Sequence, residues 1–114
     1  MSAMSSPIRV GVVGVGHLGR HHARLLSTID GAVLAGVADL PRERAETAAA
    51  VAPQARVVTD ARELLDHVDA VTIAVPTADH LNVARPFLER GIHVLVEKPM
   101  AASLAEANEM VSLA

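Results

Sequence analysis

The sequence predicts an α/β domain built on a doubly wound parallel sheet. Short runs rich in β-branched residues alternate along the chain with longer segments of helical period. The links between them are short, so successive strands are joined by crossovers, which are right-handed and lay helices on both faces of the sheet. One run, residues 70–75 (AVTIAV), is nearly continuously apolar, the pattern of a strand buried on both sides.

Each element has its own justification. Residues 8–13 (IRVGVV) read as the first strand, and Leu18, His22, Leu25, Leu26 and Ile29 follow at spacings of three and four, as along one helix face. Residues 33–38 form a second strand, and Pro41 opens an alanine-rich helix reaching Ala52, proline being tolerated at the first helical position. Residues 56–58 make a short third strand, after which Asp60 can cap a brief helix through Leu65. The strand at 70–75 precedes a helix over about 79–90 that Gly91 stops, with Pro86 inside it removing the hydrogen bond to Asn82 and bending it. A buried fifth strand spans 92–96. Ser103 and Glu106 then form a capping box for a helix with Leu104, Ala107, Met110, Val111 and Ala114 on its apolar side. The sequence ends inside that helix with no closing glycine or proline. A six-stranded sheet of this class needs one more strand, so the chain is expected to be cut short.

Composition narrows the function. A length of 114 residues suits one domain, expected over 8–114 behind a flexible tail at 1–7. The hydrophobic fraction of 51% is ample for a core, but it is mostly small, with one Phe and no Trp or Tyr, which suits tight helix-on-sheet layers. A net charge of −3 and the lack of aromatic stacking platforms argue against a nucleic-acid partner. With no cysteine, disulfides and thiolate metal sites are excluded. The opening residues MSAMSSP lack signal-peptide form and no apolar run reaches the roughly 18 residues of a membrane span, so a cytoplasmic protein is expected.

The first chemical motif is Gly14-Val15-Gly16-His17-Leu18-Gly19, a G-x-G-x-x-G between strand and helix. Gly14 permits the tight turn, Gly16 lets a diphosphate approach the backbone, and Gly19 lets helix and strand pack closely, while the helix start offers amides to the anion. Read alone, the motif is equally a tight turn. Asp39, at the end of the second strand, can accept hydrogen bonds from the ribose hydroxyls of NAD and would repel the 2′-phosphate of NADP. Arg42 and Arg44 soften that preference, leaving NADP possible, and Asp39 can also act as the N-cap of the helix near Pro41. Together these features make a Rossmann-type dinucleotide-binding domain. Pro76, Thr77 and His80 follow the fourth strand on the ligand edge, where they can wall the cofactor, with His80 pointing toward it, or form a proline turn with an Asp79 cap.

The remaining histidines are read mainly as structure. His17 and His21 stand four apart, but no nearby carboxylate or cysteine completes a ligand set, so no metal is expected. His17 is then a loop residue near the diphosphate, and His21 or His22 a partly exposed helix residue. His67 reads as surface and His93 as structural.

The glycine motif, the Asp closing the second strand, the Pro-Thr-x-x-His turn after the fourth and Glu97-Lys98-Pro99 after the fifth together resemble the Gfo/Idh/MocA oxidoreductase family, over residues 8–114. That resemblance implies an NAD(P)-dependent enzyme moving a hydride to or from a sugar, inositol or nucleotide sugar. It places Lys98 beside the nicotinamide ribose and the substrate hydroxyl as the catalytic residue, with Glu97 and Pro99 fixing its approach. Beside an oxidised nicotinamide the charged form of a lysine is disfavoured, which suits a proton relay. It further implies a second domain carrying most of the substrate pocket and the homo-oligomer interface. The runs GVGHLGRHHARLL, VDAVTIAVPT and GIHVLVEKPMAAS are similar to members that oxidise the 3-hydroxyl of a UDP-linked N-acetylhexosamine. Two other classes compete: a non-catalytic dinucleotide sensor, which has no need of Lys98, and a methyltransferase-like binder of S-adenosylmethionine.

Overall fold

The computed structural model describes residues 7–97 and 101–114. Five parallel strands, β1 (Ile8–Val13), β2 (Ala32–Ala38), β3 (Arg56–Val58), β4 (Ala70–Ile73) and β5 (His93–Val96), form one sheet in the order β3-β2-β1-β4-β5. The chain winds outward from β1 to β3, returns to the other side of β1 for β4, and winds outward again. The doubly wound α/β expectation therefore holds. The crevice of such a sheet opens where the winding reverses, between β1 and β4 at their carboxyl ends.

Alternation along the strands assigns the two faces. Val12 faces one way with Val15, Leu34 and Val37, packing against Ala23 of α1 (His17–Leu26) and Ala45, Ala48 and Ala49 of α2 (Arg42–Ala49). Val13 faces the other way with Val71 and Ile73, against Leu81, Ala84 and Phe87 of α3 (His80–Glu89) and Met110 of α4 (Leu104–Leu113). Leu64, from a 3-10 turn over Ala61–Leu64, packs over Gly11 and Gly36, where a β-carbon would come within 3.2 Å and 2.4 Å of its methyl carbons. The scarcity of bulky side chains thus permits close contact between layers.

Several expected boundaries move. The first helix stops at Leu26 rather than reaching Ile29, which is 51% exposed beside half-exposed Leu25. Ser27 and Thr28 end it by donating their hydroxyls to the carbonyls of Arg24 and Leu25. Pro41 is the N-cap of α2 rather than its first helical residue, and the helix ends at Ala49, short of Ala52. β4 closes at Ile73, two residues early, and the next helix begins as a 3-10 turn over Thr77–Asp79. Asp60 caps its turn as expected, accepting from the Arg62 N–H at 2.9 Å. Pro86 lies inside α3.

The expectation of a buried fifth strand is corrected. β5 is an edge strand, and Leu95 is 63% exposed, because only β4 pairs with it among the described residues. In α4, Ser103 accepts from the Glu106 N–H at 3.2 Å, the serine half of the capping box. Its buried stripe is narrower than the pattern suggested: Met110 is enclosed and Leu113 packs beside it, while Leu104 and Val111 are exposed. His67 is half-buried rather than a surface residue. The tail expected at 1–7 lies outside the described residues apart from Pro7. Among the described residues, no helix is long and apolar enough to cross a membrane.

Candidate functional site

Parallel strands deliver their carboxyl ends to one edge of the sheet. The turn after β1 is tied there by the Gly14 N–H, which donates to the Ala38 carbonyl at 2.8 Å. Gly14 has φ +85°, in the left-handed region, and a β-carbon on it would stand 2.9 Å from the Ala74 backbone. Only glycine is accommodated there without strain. Gly19 presses α1 against this turn so closely that a β-carbon would lie 1.7 Å from the Gly14 carbonyl oxygen. Gly16, the N-cap of α1, is different: an added β-carbon would meet nothing within 4 Å. The space beside it is open to an incoming group at the start of a helix, where amides and the helix dipole favour an anion. His17 and Leu18 are the first two residues of that helix.

Asp39 follows β2 and is bound into the same turn. Its Oδ2 accepts from the Val15 N–H at 3.1 Å and its Oδ1 from the Leu40 N–H at 2.7 Å. The N-cap reading of Asp39 fails, since α2 receives no side-chain cap. Those hydrogen bonds and the Arg44 Nε, 3.7 Å from Oδ2, leave carboxylate lone pairs for a further donor. Arg42 is engaged elsewhere, 3.5 Å from Glu46.

A cavity of about 470 Å³ opens beside Asp39, floored by Val13, Gly14 and Ala38. Its far wall is Thr59, Asp60 and Arg62 after β3, and its near wall is Val75, Asn82 and Pro86. The size suits a small-molecule site. Asp60 and Arg62 form a bidentate pair at 2.8 and 3.2 Å on its rim, and the hydrogen bonds from Arg62 hold the Asp60 carboxyl below the usual carboxylate range. The wall residues from β3 and α3 were not among the expected site residues. The rule that ligands bind at strand carboxyl ends points to Thr59, but only the sheet order brings it beside Asp39.

Pro76 and Thr77 form the turn after β4, exposed and half-buried respectively, and Val75 rather than either of them lines the cavity. Asp79 gives no side-chain cap to the helix that follows. His80 is 1% exposed, and its Nε2 lies 3.0 Å from the Val75 carbonyl in the turn after β4.

At the mouth of β5 stands Glu97, half-buried. Its Oε2 lies 3.8 Å from Nε2 of His22 on α1, whose Nδ1 lies 2.8 Å from the hydroxyl of Thr72 on β4. His21, by contrast, is exposed and pairs with Arg24. Lys98 and Pro99 lie outside the described residues.

These features coincide with a known family. The model of the oxidoreductase family GFO_IDH_MocA, NAD-binding Rossmann fold, matches residues 8–114. The chain is 43% identical over 109 residues to UDP-N-acetylglucosamine 3-dehydrogenase of Acidithiobacillus ferrooxidans, covering 94% of this chain and 33% of that protein. It is 46% identical over 109 residues to inositol 2-dehydrogenase 2 of Paenarthrobacter aurescens, covering 93% of this chain and 32% of the relative. A protein of gentamicin A biosynthesis, solved in complex with NAD, superposes with a TM-score of 0.88 at 33% identity, over 96% of this chain and 32% of that one. The chain spans about a third of the length of the curated relatives it matches. With the family model covering nearly the whole chain and the open glycine turn fitting the cofactor that the family holds, this chain belongs to the Gfo/Idh/MocA oxidoreductase family, as its NAD-binding Rossmann domain.

Proposed function

We propose that this domain holds NAD for hydride transfer to or from a ring carbon bearing a secondary hydroxyl, in a sugar, an inositol or a nucleotide sugar. The observation that carries the reading is Asp39, hydrogen-bonded to the Val15 amide inside the glycine turn and facing a cavity of about 470 Å³. In this reading the adenosine ribose hydroxyls donate to Asp39, the diphosphate lies against Gly16 and the start of α1, and the base lies between Thr59–Arg62 and the Val75 turn. The cofactor supplies the hydride acceptor. Lys98, next in sequence after Glu97, is proposed to contact the substrate hydroxyl and to take or relay its proton as the hydride leaves. Pro76, Thr77 and His80 shape the turn on the nicotinamide side.

The substrate class is supported by the relatives, one named for a UDP-linked N-acetylhexosamine and one for an inositol. The 3-hydroxyl of a UDP-N-acetylhexosamine is the narrower proposal. Substrate selection and assembly into a homo-oligomer are assigned to sequence of the kind that these relatives carry outside the matched third.

The test has two arms. Calorimetric titration of the 114-residue chain with NAD, NADP and S-adenosylmethionine should give binding to NAD first and none to S-adenosylmethionine. In a longer protein carrying this domain, NADH formation is then measured with UDP-N-acetylglucosamine and myo-inositol. Lys98→Ala should abolish turnover while NAD affinity stays within about twofold, a margin well below one tenfold step in affinity. Unchanged turnover would show a lysine without a chemical role.

A further inference from the structure

Thr72 is the polar residue in an otherwise apolar strand. It sits in the middle of β4, 5% exposed, on the face that α1 covers. A buried hydroxyl needs a partner, and among the described residues its partner is Nδ1 of His22, at 2.8 Å. The opposite nitrogen of the same ring, Nε2, lies 3.8 Å from Oε2 of Glu97. Three parts of the chain distant in sequence therefore meet through one imidazole: β4, α1 and the residue that follows β5.

The two neighbours of the ring together favour one tautomer. The threonine hydroxyl can donate to Nδ1 or accept from an Nδ1–H, so this contact alone permits either tautomer, and the carboxylate on the other side of the ring selects between them. A neutral imidazole that accepts at Nδ1 carries its hydrogen on Nε2. That N–H faces the Glu97 carboxylate. At 3.8 Å the contact is an electrostatic attraction rather than a direct hydrogen bond, and the hydrogen on Nε2 gives it the favourable sign. With the hydrogen on Nδ1 instead, the Nε2 lone pair would face the carboxylate and repel it.

We infer that His22 is a positioning residue: anchored by Thr72, it holds the Glu97 carboxylate at the carboxyl end of β5, on the sheet edge that carries Gly14 and Asp39. The consequence for chemistry rests on the proposed hydride-transfer reading, because Glu97 precedes Lys98 in sequence. The geometry stands without it. A buried strand spends a polar residue here because the hydroxyl orients the ring, an anchoring that valine, of nearly the same shape, does not provide.

The experiment uses the 114-residue chain labelled with ¹⁵N and ¹³C, at a pH of about 8.5, some two units above the ordinary imidazole value, so that a free ring is neutral. Long-range ¹H–¹⁵N correlation should show His22 protonated at Nε2 with an acceptor-type Nδ1, and a nuclear Overhauser cross-peak should join the ring to the Glu97 γ-methylene. Thr72→Val should lose that cross-peak, and Thr72→Ser, which keeps the hydroxyl, should restore it. A ring protonated at Nδ1 in the wild-type chain, or a cross-peak that survives Thr72→Val unchanged, overturns the inference. The wild-type tautomer requires no variant, so a failure of Thr72→Val to fold leaves the inference exposed to refutation. None of these readouts needs NAD or substrate, so they are decided separately from the cofactor reading.

Discussion

The glycine turn allows the cofactor role of a residue to be separated from its role in the fold. Gly16 and Gly19 belong to one motif, yet a β-carbon at Gly16 meets nothing within 4 Å, whereas at Gly19 it lies 1.7 Å from the Gly14 carbonyl oxygen and 2.7 Å from its carbon. Gly16→Ala should therefore leave stability within about 0.5 kcal/mol: Ala is a poorer N-cap than Gly, but it also restricts the unfolded chain, and the two effects are of similar size. If the diphosphate lies against this residue, the new methyl forfeits about one charge-assisted hydrogen bond, worth about 1.5–3 kcal/mol. NAD affinity should then fall about 10- to 150-fold. Gly19→Ala must instead push α1 off β1, an overpacking cost of about 1–3 kcal/mol. At about 4–8 °C per kcal/mol for a small domain, the melting temperature should fall by about 4–24 °C. The assays are thermal unfolding by circular dichroism and calorimetric titration with NAD on the same preparations. A Gly16→Ala chain that melts like wild type and binds NAD within twofold would remove the diphosphate from Gly16 and refute the reasoning.

Asp39→Asn keeps an acceptor for the Val15 amide but loses the charge paired with Arg44, so NAD affinity should fall about tenfold and the preference over NADP should narrow; titration with both nucleotides checks this, and an unchanged ratio would speak against ribose recognition at Asp39. Phe87 is fully buried on the α3 face, and Phe87→Ala should cost about 3–5 kcal/mol in urea unfolding, with a loss under 1 kcal/mol contradicting its place in the core. Asp69 takes 3.0 and 3.3 Å hydrogen bonds from the Arg9 side chain and a third at 2.9 Å from its N–H, and these hold its carboxyl below the usual range. A lowered carboxyl stabilises the fold fully above its unfolded-state value, and that contribution is lost as pH falls through the folded-state value. The stability gap between wild type and Asp69→Asn, measured by urea unfolding, should accordingly be present at neutral pH and close in strong acid; a gap independent of pH would exclude the linkage.

Much of this domain was legible without coordinates. A hydrophobic pattern of period two or 3.6 is a local property, so the alternation of strands and helices and the parallel sheet could be read from particular runs such as AVTI and the alanines of α2. Boundaries were less legible, since Ile29, four residues beyond Leu25, continues the helical spacing past Leu26 while the hydroxyls of Ser27 and Thr28 end the helix. β5 read as buried because its residues are apolar, and it lies at the edge because a residue's polarity does not say how many neighbours its strand has.

The sequence by itself determined the fold class and which glycines, acid and turn stand at strand ends, because the demands of a tight turn or a helix start fall within a few consecutive residues. Only the tertiary structure decided what meets across the sheet. Asp39 binds the Val15 amide 24 residues away instead of capping its own helix, and Thr59 and Arg62 become the far wall of the cavity through the β3-β2-β1-β4-β5 order. His22, in the sequence one of two adjacent helix histidines, is joined to Thr72 across 50 residues and to Glu97 at the mouth of β5. Such contacts depend on strand order and on the face each side chain takes, and no local pattern records them.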